Sequence, residues 1–293
     1  MADSGKSFRM RRLSAAGDGR YLFVPLDHSV SDGPVVPQAR WDGLIRSLVD
    51  GGADAIVVHK GRARTISASI LRHCGLVMHL SAGTAHAADT DAKVLVGDVE
   101  EAVRLGADAV SVHVNLGSAT EHRQLADLGT VAASCDAWNM PLLAMIYPRG
   151  PRVTDPHDPA LLAHAVNVAV DLGADLVKTS VTLPLGRMSE VVDSCPVPVL
   201  AAGGPLDGSD LIGYGTSLMR SGCRGLAVGR RIFSAPSPAS LTARLAAVVH
   251  AVEPRTAGTN GTAGANGTAG ANGTAGANGA TSPHPSTIAT GAA

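Results

Sequence analysis

The sequence predicts an α/β chain folded as a (β/α)8 barrel with a flexible C-terminal tail, and three observations predict it. Charged residues stop at Arg255, which leaves a folding unit of about 255 of the 293 residues, the usual length of one such barrel. A Gly-Ala-Asp-apolar repeat punctuates that unit at residues 52–58, 106–112 and 173–178, with a looser copy at 222–228. Further apolar runs fall between the copies, so strand and helix patterns alternate along the whole unit.

Taken in order, the first strand is expected at residues 22–26 and the second in the first repeat copy. The third is expected at 76–80, the fourth in the second copy, and the fifth at 142–147. The sixth lies in the third copy, the seventh at 198–202, and the eighth in the fourth copy. In each copy the glycine caps a preceding amphipathic segment, such as 99–105 or 161–172, and the apolar run after it is a buried parallel strand. Residues 93–97 form a ninth candidate, read as part of an elaborated loop after the third strand. A doubly wound sheet is the alternative, but no glycine-rich phosphate fingerprint follows the first strand.

The domain boundary falls after residue 255. Residues 256–293 carry no Lys, Arg, Asp or Glu and repeat Asn-Gly-Thr-Ala-Gly-Ala three times from Asn260. Ile288 is their one large aliphatic, too little to offset the entropy of ordering, so a flexible tail is expected. The Asn-Gly-Thr sequons are read as accidental, because the basic N-terminus lacks the apolar core of a secretory signal.

Composition excludes several functions. No apolar run approaches the roughly 20 residues that span a bilayer, so no membrane partner is expected. A net charge of −1 with 3% aromatic residues argues against a nucleic-acid surface. Cys74, Cys135, Cys195 and Cys223 lie far apart and read as reduced, mostly buried thiols of a cytoplasmic protein.

In a barrel of this kind, chemistry gathers at the C-terminal ends of the strands. Those ends read Asp27-His28, His59-Lys60, His79, His113 to Asn115, Tyr147, Lys178, Gly203-Gly204 and Gly229-Arg230. Lysine is scarce, with Lys6, Lys60, Lys93 and Lys178 the only four, and Lys178 ends a strand after Leu176 and Val177. Set in an apolar wall, such an amine is desolvated, which favours its neutral, nucleophilic form and allows a Schiff base with a ketone. The alternatives are a lysine paired with a carboxylate or one that binds phosphate. Lys60 is its competitor, but Gly61 after it suggests a tight turn and a more exposed amine. If it faces the mouth, it would depress the Lys178 pKa by repulsion. Lys60 and Arg149 are the candidates to grip a substrate's far end.

Tyr147 ends the neighbouring strand, so its phenol can relay a proton to a carbon bound to Lys178, or else simply pack with a bonded hydroxyl. Asp27 can act as base or stabilise an iminium, or else cap the loop that starts at Ser29. Gly203, Gly204, Gly229 and Arg230 sit where barrels hold phosphate, with plain tight turns as the alternative.

With these strand ends in order, together with His79-Leu80-Ser81-Ala82-Gly83-Thr84 and Ala202-Gly203-Gly204-Pro205, the chain resembles a known family over residues 12–252. These are the short class I aldolases related to archaeal fructose-bisphosphate aldolase and deoxyribose-phosphate aldolase. The resemblance implies Lys178 as the Schiff-base lysine, Tyr147 as proton donor and Asp27 as proton acceptor. It further implies that Asp27, His28, Ser29, Val30, Ser31, Tyr147, Pro148, Arg149, Lys178, Gly203, Gly204, Gly229 and Arg230 hold a phosphorylated ketose.

Within the family the resemblance points to the branch that builds seven-carbon amino acids, in which an amino-acid aldehyde, L-aspartate 4-semialdehyde, is the acceptor. One activity there joins it to dihydroxyacetone phosphate in bacterial secondary metabolism. The other transfers a fragment from a six-carbon deoxy-ketose phosphate. The Ala-, Arg- and Gly-rich, lysine-poor composition suggests a GC-rich bacterial gene and favours the first. Fructose-bisphosphate cleavage is a further alternative. The scheme implies no metal and no cofactor, and the family implies a homo-oligomer.

Two rivals come from outside this chemistry. A metal-dependent aldolase would use His59, His79 and His113 as ligands, although no HxH or HxxxH spacing supports it. A non-catalytic sugar-phosphate sensor would keep the fold without turnover.

Overall fold

Eight parallel strands close into a barrel in the computed structural model, which describes residues 5–204 and 208–251. They are β1 (Tyr21–Pro25), β2 (Ala55–Val58), β3 (Gly75–His79), β4 (Ala109–Leu116), β5 (Leu142–Pro148), β6 (Leu176–Thr179), β7 (Val199–Ala202) and β8 (Gly225–Ala227). Each strand pairs with its neighbours in sequence, and β8 closes on β1 through Tyr21 opposite Gly225. All eight lie where the apolar runs put them. β4 alone runs well past its repeat, staying paired with β5 as far as Leu116 opposite Pro148. The ninth candidate is not a barrel strand: Val94–Leu95 pairs antiparallel with Ser81–Ala82 in a small side ribbon after β3. The predicted tail, 256–293, lies outside the described residues.

The repeat has a structural purpose. Its glycines, Gly52, Gly106 and Gly173, adopt φ of 85°, 76° and 99°, a left-handed turn that other residues resist. Two residues later the aspartate staples the strand before it. The carboxylates of Asp54, Asp108 and Asp175 accept from the N–H groups of Leu22 (2.6 Å), Leu76 (3.0 Å) and Leu142 (2.9 Å). The same aspartates' N–H groups donate to the carbonyls of Leu22, Leu76 and Leu142. Adjacent strands are thus locked at their starts, which sets the register carried up to the mouth. In the looser copy Arg224 keeps the backbone half of the staple, donating to the Val199 carbonyl. Its side chain turns away to the Asp18 and Gly19 carbonyls.

Alternation along each strand separates two cores. Leu22, Ile56, Val110, Val177 and Ala201 pack outward, joined by helix residues such as Leu48, Leu128, Val166 and Leu218. Phe23, Val57, Val77, Leu143, Leu176 and Leu200 pack inward and fill the lumen. Leu13, just beyond the helix Gly5–Arg12, joins this inner core and plugs its lower end against Gly75. The lumen is a packed core, and only its upper end is free for chemistry.

His250, on the final helix Pro238–Ala251, bridges the Asp18 carboxylate (2.9 Å) and the buried Asp54 carboxylate (3.1 Å). The Asp54 hydrogen bond, reinforced by Asp18 against the cost of burial, raises its pKa to about 9. A group with a raised folded pKa stabilises fully below its unfolded value, about 6.5, and ceases to as pH climbs through the folded value. Urea unfolding should therefore show stability falling by on the order of 2 kcal/mol between about pH 6.5 and 9.5. The His250→Gln variant should lack this slope; an equally steep slope there would assign the effect elsewhere.

Candidate active site

Continuing the inward alternation past the apolar layers exchanges hydrocarbon for polar side chains. Asp27 follows Phe23 and Pro25, His59 follows Ala55 and Val57, and His79 follows Gly75 and Val77. Tyr147 follows Leu143 and Met145, and Lys178 follows Leu176. All five line a cavity of about 810 Å³ at the C-terminal ends of the strands.

Lys178 lies level with Met145 of β5 and Leu200 of β7, both inward-facing. Leu176 and these two side chains form its apolar surroundings; Val177, expected there as well, faces the outer helices instead. Among the described residues its amine has no carboxylate within salt-bridge reach, which removes the paired-lysine alternative. Through space the amine helps to keep the Asp27 carboxylate ionised.

Asp27 precedes the single helical turn His28–Ser31, yet its side chain makes no capping hydrogen bond. The carboxylate instead sits 3.5 Å from His28 Nδ1 and 3.8 Å from His79 Nε2. Burial opposes its charge, but His79, His28, Lys178 and His59 together hold its carboxyl below the usual range. It is a carboxylate at neutral pH.

Tyr147 is 8% exposed, its ring 5.0 Å from that of His113 and beneath the Arg149 guanidinium at 5.5 Å. Its hydroxyl has no hydrogen-bond partner among the described residues, so the phenol is offered to the cavity rather than tied down in packing. Inward-facing Met145 is level with Lys178, and Tyr147 is the next inward position on that strand, one diagonal step from the amine.

Burial works against charge on the four strand-end histidines. Burial lowers the pKa of His79 to about 4, with His59 and Lys178 adding to the fall. Burial likewise lowers His28, His59 and His113, the last well below its ordinary value. Three of the four have a nitrogen on a protein partner: His59 Nδ1 the His79 carbonyl (3.0 Å), His79 Nδ1 the Ser111 hydroxyl (2.8 Å), and His113 Nε2 Asn115 Oδ1 (2.9 Å). The buried His28 Nδ1 has no hydrogen-bond partner among the described residues. Among the described residues no three His, Cys, Asp or Glu side chains are arranged to hold a metal ion.

Across the mouth, Gly203, Gly204, Gly229 and Arg230 line the same cavity. Gly204 has φ 69°, and a Cβ there would press on the Tyr214 ring at 3.1 Å; the Tyr214 hydroxyl in turn donates to the Ala202 carbonyl at 2.6 Å. A Cβ at Gly229 would collide with the Pro25 carbonyl and lie 2.8 Å from His28 Cε1. Both positions require glycine, so backbone lies directly on the cavity wall. Arg230 is exposed beside it, 3.8 Å from Asp32.

Of the remaining expected residues, His28, Val30, Ser31 and Arg149 line the cavity, whereas Ser29 and Pro148 do not. Lys60 is a correction. β2 ends at Val58, and the turn Lys60–Ala63 carries the Lys60 amine to Glu101 at 2.9 Å, outside the cavity. It neither faces Lys178 nor grips substrate. Sequence reading also missed Asp91, Lys93, His157, Tyr214 and Arg231, which line the cavity from loops and helices without strand periodicity to reveal them.

A lumen packed with hydrocarbon, topped by a lysine, a tyrosine and a carboxylate, defines the Schiff-base class of aldolase barrel. The chain belongs to the DeoC/LacD family of aldolases, whose profile matches residues 21–235. It is 47% identical over 262 residues to the 2-amino-4,5-dihydroxy-6-oxo-7-(phosphonooxy)heptanoate synthase of Streptomyces griseus, covering 89% of this chain and 94% of that protein. It is 39% identical to the 2-amino-3,7-dideoxy-D-threo-hept-6-ulosonate synthase of Halobacterium salinarum, covering 85% and 93%. Among solved structures, a Schiff base-forming fructose-1,6-bisphosphate aldolase superposes with a TM-score of 0.76 at 27% identity, over 84% of this chain and all of that one. An archaeal fructose-1,6-bisphosphate aldolase, whose catalytic lysine is covalently bound to a carbinolamine intermediate, superposes at 0.75 and 26% identity, over 84% and 99%.

Among the described residues no helix is long and apolar enough to cross a membrane. Cys74, Cys135 and Cys223 are buried, Cys195 is half-buried, and all four thiols are free.

Proposed function

We propose that this aldolase joins dihydroxyacetone phosphate to L-aspartate 4-semialdehyde through a Schiff base on Lys178. The carrying observation is Lys178 itself, a lumen-facing amine without a carboxylate partner, set between a free phenol and an ionised carboxylate. The relative's product name supplies the substrates by retro-aldol logic. In a 2-amino-4,5-dihydroxy-6-oxo-7-(phosphonooxy)heptanoate, the bond between C4 and C5 is the one β to the ketone. Breaking it leaves a three-carbon ketose phosphate and a four-carbon amino-acid aldehyde.

The Lys178 amine adds to the ketone carbon to give a carbinolamine, which loses water to become an iminium. Tyr147, with Asp27 as acceptor, moves the protons of that step. The iminium withdraws electrons from the adjacent hydroxymethyl carbon, whose proton passes to the Asp27 carboxylate to give an enamine. The enamine carbon attacks the aldehyde, Tyr147 protonates the new alkoxide, and water releases the product and restores Lys178. The Asp27 carboxylate also opposes the iminium charge. The backbone of Gly203, Gly204 and Gly229, with Arg230, holds the donor phosphate.

A donor screen with aspartate semialdehyde tests this reading. Dihydroxyacetone phosphate should give the seven-carbon product, and borohydride should trap it on Lys178 as a reduced adduct. Preference for the deoxy-ketose phosphate would transfer the assignment to the archaeal relative's reaction, and preference for glyceraldehyde 3-phosphate as acceptor to fructose-bisphosphate chemistry. Free thiols favour a reducing, cytoplasmic setting for this activity.

A further inference from the structure

The donor half of the cavity is accounted for by Lys178 and the glycine walls, but a second polar cluster on the opposite side is not. β7 and β8 carry the glycines, and β3 to β5 lie across the barrel from them, with β6 and Lys178 between β5 and β7. On that far side Lys93 enters the cavity from the ribbon after β3, Arg149 from the end of β5, and Asp91 from the same loop as Lys93.

This cluster is rigidly placed. The Asp91 carbonyl accepts from Asn115 Nδ2 (2.8 Å) and Gln124 Nε2 (3.0 Å), and the Asp89 carboxylate accepts from the N–H groups of Asp91 and Ala92. Lys93 Nζ donates to the Thr90 and Ala92 carbonyls at 2.7 and 3.2 Å, which leaves one of its three protons for a ligand. Immediately afterwards Val94 pairs with Ala82, anchoring the loop to the barrel.

The electrostatics call for an anion. Lys93 is half-buried; burial and Arg149 disfavour its charge, and the Asp91 and Asp89 carboxylates offset them only in part. The same two cations also disfavour protonation of His113. Among the described residues neither cation makes a salt bridge, so two like charges share one wall with no carboxylate bound to either. An anionic ligand would relieve both.

Resting on the reading above, we propose that Lys93 and Arg149 bind the carboxylate of the acceptor aldehyde while Asp91 takes its ammonium group. The product's length fits this arrangement. Its phosphate and carboxylate stand at opposite ends of a seven-carbon chain, with the Schiff-base carbon beside the phosphate end, in the order glycine wall, Lys178, cation pair. A carboxylate beside the cations suits a zwitterion and disfavours a phosphate dianion, which separates this subsite from one for a phosphorylated aldehyde.

The test is steady-state kinetics of the full chain on a set of aldehydes. Lys93→Gln keeps an N–H donor for the Thr90 and Ala92 carbonyls and removes only the charge. It should raise KM for aspartate 4-semialdehyde about 10- to 100-fold. The donor KM and the borohydride adduct on Lys178 should stay as in wild type, and Lys93→Arg should recover most of the loss. Succinate semialdehyde, which keeps the carboxylate, should share the Lys93→Gln defect, and butanal should not. Asp91→Asn should raise KM for aspartate semialdehyde but not for succinate semialdehyde. An unchanged acceptor KM in Lys93→Gln, with wild type active, overturns the subsite and leaves the reaction standing. A larger defect with glyceraldehyde 3-phosphate than with aspartate semialdehyde overturns it in favour of a phosphate site. Absence of condensation by wild type removes the reaction itself, and the subsite with it.

Discussion

Lys178→Arg should lower turnover on the order of 10⁴-fold or more while leaving the fold and the cavity charge in place. Arginine retains the positive charge but cannot be deprotonated in a protein, so it separates a nucleophilic amine from an electrostatic one. Lys178 is half-buried at the open end of the lumen, where a longer side chain has the cavity to extend into. Mass spectrometry after borohydride treatment with the donor should find an adduct on wild type and none on the variant. Turnover retained within tenfold by Lys178→Arg would sink the Schiff-base assignment.

Tyr147→Phe should reduce kcat about 10²- to 10⁴-fold, the range for loss of a positioned general acid. Because the Tyr147 hydroxyl bonds to no described residue, removing it leaves no orphaned partner, and stability should change by less than about 1 kcal/mol. The ring contacts with His113 and Arg149 survive in phenylalanine. Adduct trapping should slow together with turnover, since the phenol serves carbinolamine dehydration as well as alkoxide protonation. A variant that melts early yet turns over normally would reduce Tyr147 to packing.

Much of this site follows from one period-two rule. Asp27, His59, His79, Tyr147 and Lys178 each extend the inward alternation of a strand whose apolar residues are plain in the sequence. Their convergence required only the right number of strands and closure of the sheet. Lys60 shows where that legibility ends. It adjoins His59 in sequence as a strand-end residue, yet it stands one position out of phase and starts a helical turn, so its amine leaves for Glu101. Val177 fails for the same reason: adjacent to Lys178 in sequence, it faces the opposite side of the sheet. Parity distinguishes these cases, and proximity in sequence does not.

Lys93 could not be read in this way. It sits in a loop, where side-chain direction follows from tertiary hydrogen bonds rather than from periodicity. Asn115 and Gln124 fix its loop through the Asp91 carbonyl from 24 and 33 residues away. The repeated aspartates are an intermediate case. Their recurrence marks the strands, but their staple of Asp54 to Leu22, Asp108 to Leu76 and Asp175 to Leu142 becomes visible only when neighbouring strands are side by side.

The sequence by itself determined the barrel, its eight strands, and the lysine, tyrosine and aspartate at its mouth. It could do so because alternation along a strand is local and the strand ends converge wherever the sheet closes. Only the tertiary structure decided that the loop cation Lys93 shares the cavity with them, since no strand periodicity sets its direction. Lys93 lines the cavity because Asn115 and Gln124 hold its loop through the Asp91 carbonyl.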